Sequence, residues 1–317
     1  MVDVSVITAV WNGEHTILPA IISALSQSGV SVEVIVADDA STDATGAVVA
    51  GLNDPRVRYL RLPVNGGPAA ARNAAIEVAQ GKWIAVLDAD DRLIEGRLAS
   101  LISIASEHCL EIVTDNMVIQ DAKGTRRLFI EEELDGEILL RFLADYINSN
   151  KLFGPSPSEG YLKPVFAADF LRRHALRYDT ATRIGEDFLL VAEAMALGAR
   201  YGRVRSAGYI YTTNSGSISH RLTARNVNQM VAADQRYLSR YGARLDASER
   251  AAWLAHLKAL EDGANFVAMV ESIKARDFVA FARSAWRRPT AFKHFSMPIR
   301  ARIERLARRH AIDGAPT

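Results

Sequence analysis

The sequence predicts an α/β protein: a Rossmann-like, mainly parallel mixed sheet flanked by helices and followed by a helical C-terminal region. Three observations carry that expectation. Short apolar runs, VSVITAV (4–10), VEVIVA (32–37), VRYLRL (57–62) and WIAVL (83–87), recur through the first third of the chain at lengths that suit buried strands. Helix-period segments with their own start and stop residues separate them. Strand, helix and strand in succession demand a right-handed crossover, so the strands they join run parallel.

Taken in order, HTILPAIISALSQSG (15–29) carries Ile17, Ile21 and Leu25 at i, i+4, i+8, with Gly29 placed to stop the helix. Pro68 stands at the N1 position of a second helix, AAARNAAIEVAQ, which Gly81 closes before the fourth strand. A helix starting near Gly96 leads to a further strand, EIVTDNMVIQ (111–120). KLFGPSPSEGY (151–161) reads as a loop, because two prolines and two glycines suit neither a helix nor a central strand, and such loops often frame a substrate site. A helix over 186–197, a strand over 201–213 and a helical remainder from about Arg221 complete the chain. The expected division is a catalytic domain over 1–220, with halves at about 1–120 and 121–220, and a helical region over 221–317.

At 317 residues and 49% hydrophobic content the chain can bury a sizeable core. A formal charge of +1 gives no global pull toward nucleic acid, and no recognition motif suggests it as a partner. The single cysteine, Cys109, excludes an internal disulfide and reads as a buried structural thiol in a reducing compartment. No run approaches the roughly 18 apolar residues of a membrane span, and the first residues lack a basic leader. A cytoplasmic protein is expected.

Strand C-termini in a parallel sheet share one edge, and ligands bind in the crevice there. Two acidic clusters fall on that edge: Asp38 and Asp39 in VIVADDASTDATG (34–46), and Asp88, Asp90 and Asp91 in IAVLDADDR (84–92). Each alone has a structural alternative, a capping turn for the first and a solvated loop for the second. Together they suit a divalent cation, Mg²⁺ or Mn²⁺, which takes oxygen ligands and shares its shell with substrate phosphates. Arg72 adds a fixed cation at the same edge. The glycines of VNGGPAA allow a phosphate to approach the backbone but form neither a dinucleotide fingerprint nor a Walker motif. Glu186 and Asp187 open a helix after Gly185, where acidic residues meet the helix dipole with or without a catalytic job. A sugar leaving a nucleotide diphosphate needs no general acid, so one carboxylate suffices to deprotonate the acceptor, unlike the paired carboxylates of a glycosidase. Inversion at the anomeric carbon follows.

Over roughly residues 3–220 these motifs resemble the family 2 glycosyltransferases of the GT-A fold. SVITAVWNGEHTI looks like that family's opening strand, DDASTDAT like its uracil-binding loop, GGPAAARNAAI like its arginine segment, LDADD like its DXD motif and GED like its base motif. The resemblance implies that Ala9, Asn12, Asp39, Arg72, Asp88 and Asp90 bind the nucleotide sugar and that Asp90 and Asp91 hold the metal. It implies Asp187 as the base, with Glu186 orienting the acceptor. GPSPSEGYLKPVFAADFLRRHALRYD is similar to acceptor-side sequence of succinoglycan-type exopolysaccharide transferases, which implies transfer of a hexose, glucose from UDP-glucose, to a polyprenyl-diphosphate-linked oligosaccharide. Two departures stand out. YTTNSGS (211–217) places Thr212 and Asn214 where many members have arginine and histidine, leaving His220 as a substitute, and no QxxRW follows the base motif. The rivals are a nucleotide-sugar-binding scaffold without activity and an aspartate-nucleophile phosphohydrolase built on Asp88.

From Trp286 to Arg309 the chain carries eight arginines and lysines against Glu304 alone, with Ile299, Ile303 and Leu306 at helical spacing. This pattern fits a helix on an anionic membrane surface at the inner face of the cytoplasmic membrane, or one docked on the catalytic domain with a solvated basic face.

Overall fold

The structure is a computed structural model that describes residues 2–131, 137–154, 157–213 and 222–295. The strands are β1 (Val4–Val10), β2 (Val32–Asp38), β3 (Val57–Arg61), β4 (Trp83–Val86), β5 (Arg92–Leu93), β6 (Ile112–Gln120), β7 (Arg126–Leu128), β8 (Ile138–Arg141), β9 (Val165–Ala167) and β10 (Tyr201–Thr212). Their order in one sheet is β3-β2-β1-β4-β9-β6-β10-β5, with β7 added to β6 and β8 to β10. β3, β2, β1 and β4 run parallel to one another. Short β9 enters antiparallel between β4 and β6 and makes the sheet mixed.

Helices α1 (Ile17–Leu25), α2 (Thr45–Gly51), α3 (Pro68–Val78) and α4 (Arg97–Glu107) follow the early strands. α1 stops before Gly29, which takes φ +76° in the turn into β2. α3 begins at Pro68 as expected, with Gly67 at its N-cap and φ +86°. Of the four early apolar runs, VRYLRL departs from expectation. β3 is the sheet edge, so its residues are half-buried or exposed rather than buried.

Cys109 also differs from expectation: it is exposed. It sits just past α4 with φ +51°, its N–H donating to Ser106 O and that of Leu110 to Ala105 O. These are the two bonds of a Schellman cap, which turns this position outward.

α5 (Leu143–Asn148), α6 (Ala168–Arg173) and α7 (Glu186–Ala196) cover the second half, and α8 (Ala224–Tyr241), α9 (Ala247–Lys274) and α10 (Phe278–Arg287) form the helical C-terminal region. Asp246 and Glu249 close a capping box at the start of α9. The core does not stop near residue 220. Trp253 of α9 is fully buried, stacked on Tyr237 of α8 (centroids 3.6 Å, planes 5° apart) and on Phe188 of α7 (5.6 Å, 23°). Among the described residues no helix is long and apolar enough to cross a membrane. Asn214, His220 and the tail from 296 onward lie outside the described residues.

Candidate active site

The register of the sheet brings the acidic clusters together. Val10 pairs with Asp38 at the end of β1 and β2, and Ile7 with Val86 at the end of β4, so both clusters flank the tip of β1. Half-buried Ala9, beside Ala37, and Asn12, at φ +53°, stand on that tip. Asn12 joins the two neighbouring loops: its N–H donates to Ser41 Oγ (2.8 Å), and its Oδ1 accepts from Thr42 N–H (2.8 Å).

Asp38 is fully buried and serves the loop itself. Its Oδ1 accepts from Ser41 N–H (2.7 Å), and its Oδ2 accepts from the Tyr59 hydroxyl and from Arg61 (3.2 Å). Asp39 accepts at both oxygens from the N–H groups of Gly66 and Gly67, each 2.7 Å away. Those two glycine N–H groups, which the sequence left open to a phosphate, are therefore committed to a carboxylate. The same bonds fix the turn that launches α3.

α3 then aims Arg72 into the crevice, where the guanidinium is only 5% exposed. Its Nη2 donates to Asp88 Oδ1 (2.7 Å), and its Nη1 donates to Glu186 Oε1 (3.0 Å) and Asp187 Oδ1 (3.1 Å). Tyr178 lies beneath it, 5.3 Å from ring centroid to guanidinium carbon, in a segment pinned by the Asn73 side chain. A second cation completes the cluster. Lys163, 7% exposed, donates to Asp88 Oδ2 (2.9 Å) and to Asp187 Oδ2 (3.1 Å). Arg72 and Lys163 thus clamp the same two carboxylates from opposite sides. Sequence reasoning missed Lys163, whose one signal was a lone lysine in the apolar run YLKPVF.

The electrostatics follow from this arrangement. Burial alone would lower the affinity of Arg72 and Lys163 for their protons, but Asp187 and Asp88 reverse this and raise both pKa values. Burial opposes ionisation of Asp88, yet Lys163 and Arg72 outweigh it and hold the carboxyl well below the usual range. Burial and the neighbouring Asp187 push Glu186 up to about 7 against the pull of Arg72. Glu186 is turned onto Arg72 and buried, a placement that suits holding the cluster together.

The three aspartates of DADD divide their tasks. Asp88 is neutralised by protein cations. Asp91, expected as a metal ligand, is 1% exposed; its Oδ2 accepts from the Tyr209 hydroxyl (2.7 Å) and its Oδ1 from Thr212 N–H (2.8 Å). Burial, with the charges of Asp88 and Asp90, pushes its carboxyl up to about 8. Tyr209 also accepts from Asp88 N–H (3.1 Å), which makes it the post of the whole turn. Asp90 remains partly exposed. Among the described residues the buried Thr212 hydroxyl beside this turn has no hydrogen-bond partner, and every donor side chain here offers hard oxygen. A divalent cation fits that chemistry, provided phosphate and water complete its shell: among the described residues no cluster of three His, Cys, Asp or Glu side chains could hold it alone.

Beneath the site, Arg97 donates to Asp115 (2.9 and 2.8 Å) and to the carbonyl of Lys163 (2.6 Å), while Asp115 accepts from Gly208 N–H (2.6 Å). This buried brace fixes the backbone of both Lys163 and the β10 segment that carries Tyr209. Tyr161, 44% exposed and edge-on to Phe129, lies two residues before Lys163 in the loop the sequence marked as a substrate frame.

Comparison with known proteins bears on the family and the fold. The chain is 42% identical over 308 residues to the succinoglycan biosynthesis protein ExoO of Rhizobium meliloti (strain 1021), covering 97% of this chain and 88% of that one. It is 37% identical over 99 residues, 31% of this chain and 39% of the relative, to WfaP of Escherichia coli, a UDP-Glc:alpha-D-GlcNAc-diphosphoundecaprenol beta-1,3-glucosyltransferase. The fold is shared with residues 1–349 of S. aureus TarS, crystallised with UDP-GlcNAc, at TM-score 0.61 and 18% identity over 90% of this chain and 91% of that one. These matches support a transferase enzyme of the GT-A fold and dispose of the phosphohydrolase reading. Residues 5–166 match Glycosyl transferase family 2, and the chain belongs to that family.

Proposed function

We propose that this glycosyltransferase moves a hexose, glucose from UDP-glucose, onto a polyprenyl-diphosphate-linked oligosaccharide during exopolysaccharide synthesis, with inversion. The observation that carries the reading is the Asp187 carboxylate. It opens α7 and is held at both oxygens by Arg72 and Lys163, which tie it to Asp88 of the donor edge. The names of ExoO and WfaP support the pathway, the lipid-linked acceptor and the glucose.

In this mechanism Asp187 accepts the proton of the acceptor hydroxyl as its oxygen bonds to the anomeric carbon. The bond from that carbon to the diphosphate oxygen breaks on the opposite face, and its electron pair leaves with UDP. Positioned general-base catalysis of this kind contributes typically ~10²–10⁴-fold. Glu186 holds Arg72, and Arg72 and Lys163 fix the carboxylate so that little reorganisation is needed when charge moves. A divalent metal held by Asp90, with Asp91 and Tyr209 shaping the turn, would neutralise the departing diphosphate. Residues 1–120 then form the nucleotide-sugar half, with Ala9, Asn12 and Asp39 at the nucleoside, and 121–220 the acceptor half. The acceptor's lipid places the protein at the inner face of the cytoplasmic membrane.

The test is UDP release from a panel of UDP-sugars with Mn²⁺ or Mg²⁺ and a lipid-linked acceptor extract. Release with one donor, lost in both Asp90→Asn and Asp187→Asn while UDP still binds Asp187→Asn, is the expected result. Unchanged turnover in Asp187→Asn would remove the base assignment.

A further inference from the structure

α10 has no buried residue along its whole length, whereas α8 and α9 both bury an apolar face. One side of α10 is nevertheless attached. Phe281 and Ala285 pack onto the cluster around Val227, Leu260 and Phe266, and Phe281 meets Phe292 edge-on (6.4 Å, 84°). Asp277 caps its start by accepting from Ala280 N–H (2.9 Å). Just past its end, Arg288 reaches Glu261 and Asp262 of α9, and Lys293 reaches Asp262 (2.8 Å). The helix is therefore fixed in roll on a rigid support.

At 100° per residue, fixing Phe281 and Ala285 inward turns Val279 and Trp286 outward as one stripe at i, i+7, with Ala282 beside it and Phe278 exposed in the first turn. Trp286 is 90% exposed, Phe278 72% and Val279 71%. Arg283 and Arg287, both exposed, follow on the flank of the stripe, and residues 278–287 contain no acidic side chain. An apolar stripe with an aromatic at its margin and cations along one side is the form of a helix lying in the plane of a bilayer at headgroup depth.

We infer that this outward face of α10 binds an anionic phospholipid surface, with Phe278, Val279 and Trp286 entering the headgroup boundary and Arg283 and Arg287 meeting lipid phosphates. The face suits lipid better than a folded partner. A ten-residue helix is about 15 Å long and presents on the order of 150 Å² along one stripe, far below the roughly 800 Å² per side of a stable protein interface. The binding stands on α10's own residues and shares only Trp286 and Arg287 with the basic tail singled out in the sequence. Only its purpose, bringing the active site to a lipid-linked acceptor, rests on the proposed transfer reaction.

The experiment is flotation of the full chain with phosphatidylcholine vesicles and with vesicles that also contain phosphatidylglycerol, with no sugar donor present. Binding to the anionic vesicles, lowered at least about tenfold in Phe278→Ala/Trp286→Ala and similarly in Arg283→Glu/Arg287→Glu, is expected. Quenching of tryptophan fluorescence by brominated lipid should disappear in Trp286→Phe. UDP affinity, measured on the same variants, should match the wild type, so a failure of the transferase reading leaves the vesicle result interpretable. Three outcomes overturn the inference: no vesicle binding by the wild type; binding undiminished in the double apolar variant, which would locate it elsewhere; or a wild-type dimer that Trp286→Ala dissociates, which would make the face a contact between copies.

Discussion

Lys163 touches both Asp88 and Asp187, so it links the donor edge to the proposed base through one side chain. Removing it leaves two half-buried carboxylates with Arg72 as their common cation, and the freed oxygen of Asp187 gains rotational latitude. Lys163→Met is therefore expected to lower kcat by about 10²-fold, the scale of losing one preorganised charged contact, while KM for the donor changes less than threefold. Lys163→Arg should recover part of that loss. Equal losses in kcat and donor affinity, or no recovery with arginine, would assign Lys163 to folding alone. Glu186 gives a second prediction. Its pKa is raised in the folded protein from 4.5 to about 7, so the folded state holds the proton more tightly than the unfolded chain. The stabilisation is full below about pH 4.5 and is lost as pH rises through about 7. Glu186→Gln has no proton to lose, so the variant's Tm minus that of the wild type should grow more positive from pH 5 to pH 8, by several degrees. Thermal melts at both pH values check the sign, and a difference that shrinks refutes it.

Among elements, those the sequence announced are the ones whose signals are local. Pro68 after Gly67 fixes where α3 begins because proline presets φ and glycine tolerates the positive φ before it. The abrupt change from WIAVL to DADD marks the end of β4 for an equally local reason, since an apolar strand cannot continue into three carboxylates. What was not legible depends on partners far away in sequence. β9 is three residues long and enters the sheet only because β4 and β6 offer it an antiparallel slot, which no periodicity of its own could reveal. Its arrival is what carries Lys163 to the site. The question raised by the DADD cluster had a similar fate: the sequence offered a metal or solvent as its neutraliser. In the folded chain Arg72, Lys163, Tyr209 and Thr212 meet two of its three side chains, and all but Arg72 lie more than seventy positions downstream. Likewise, the edge position of β3 and the exposed cap at Cys109 follow from sheet order and helix-end geometry, which composition does not encode.

At the scale of the whole molecule, the helical C-terminal region shares its core with the catalytic fold. Phe188, one residue after the proposed base, stacks on Trp253, and Trp253 stacks on Tyr237, so three helices from both regions meet in one fully buried aromatic column. His256 joins the column beside Phe188 and is bonded to buried Asp234 (2.7 Å). The distal half of α9 then carries α10, which places the proposed lipid contact and the base helix on one rigid rod about 42 Å long. Such a column makes the two regions unfold together. Trp253→Ala should cost about 3–5 kcal/mol, the range for emptying a large aromatic from a core, and should lower the single melting transition of the full chain by roughly 6 °C or more. Because the cavity opens directly against Phe188, activity should fall at temperatures where the variant is still folded, with UDP affinity retained, since the donor edge is built on β1, β2 and β4. Calorimetry of the variant distinguishes the alternatives: two separated transitions, one near the wild-type Tm, would mean that the helical region folds independently of the catalytic sheet and that the aromatic column transmits nothing to Asp187.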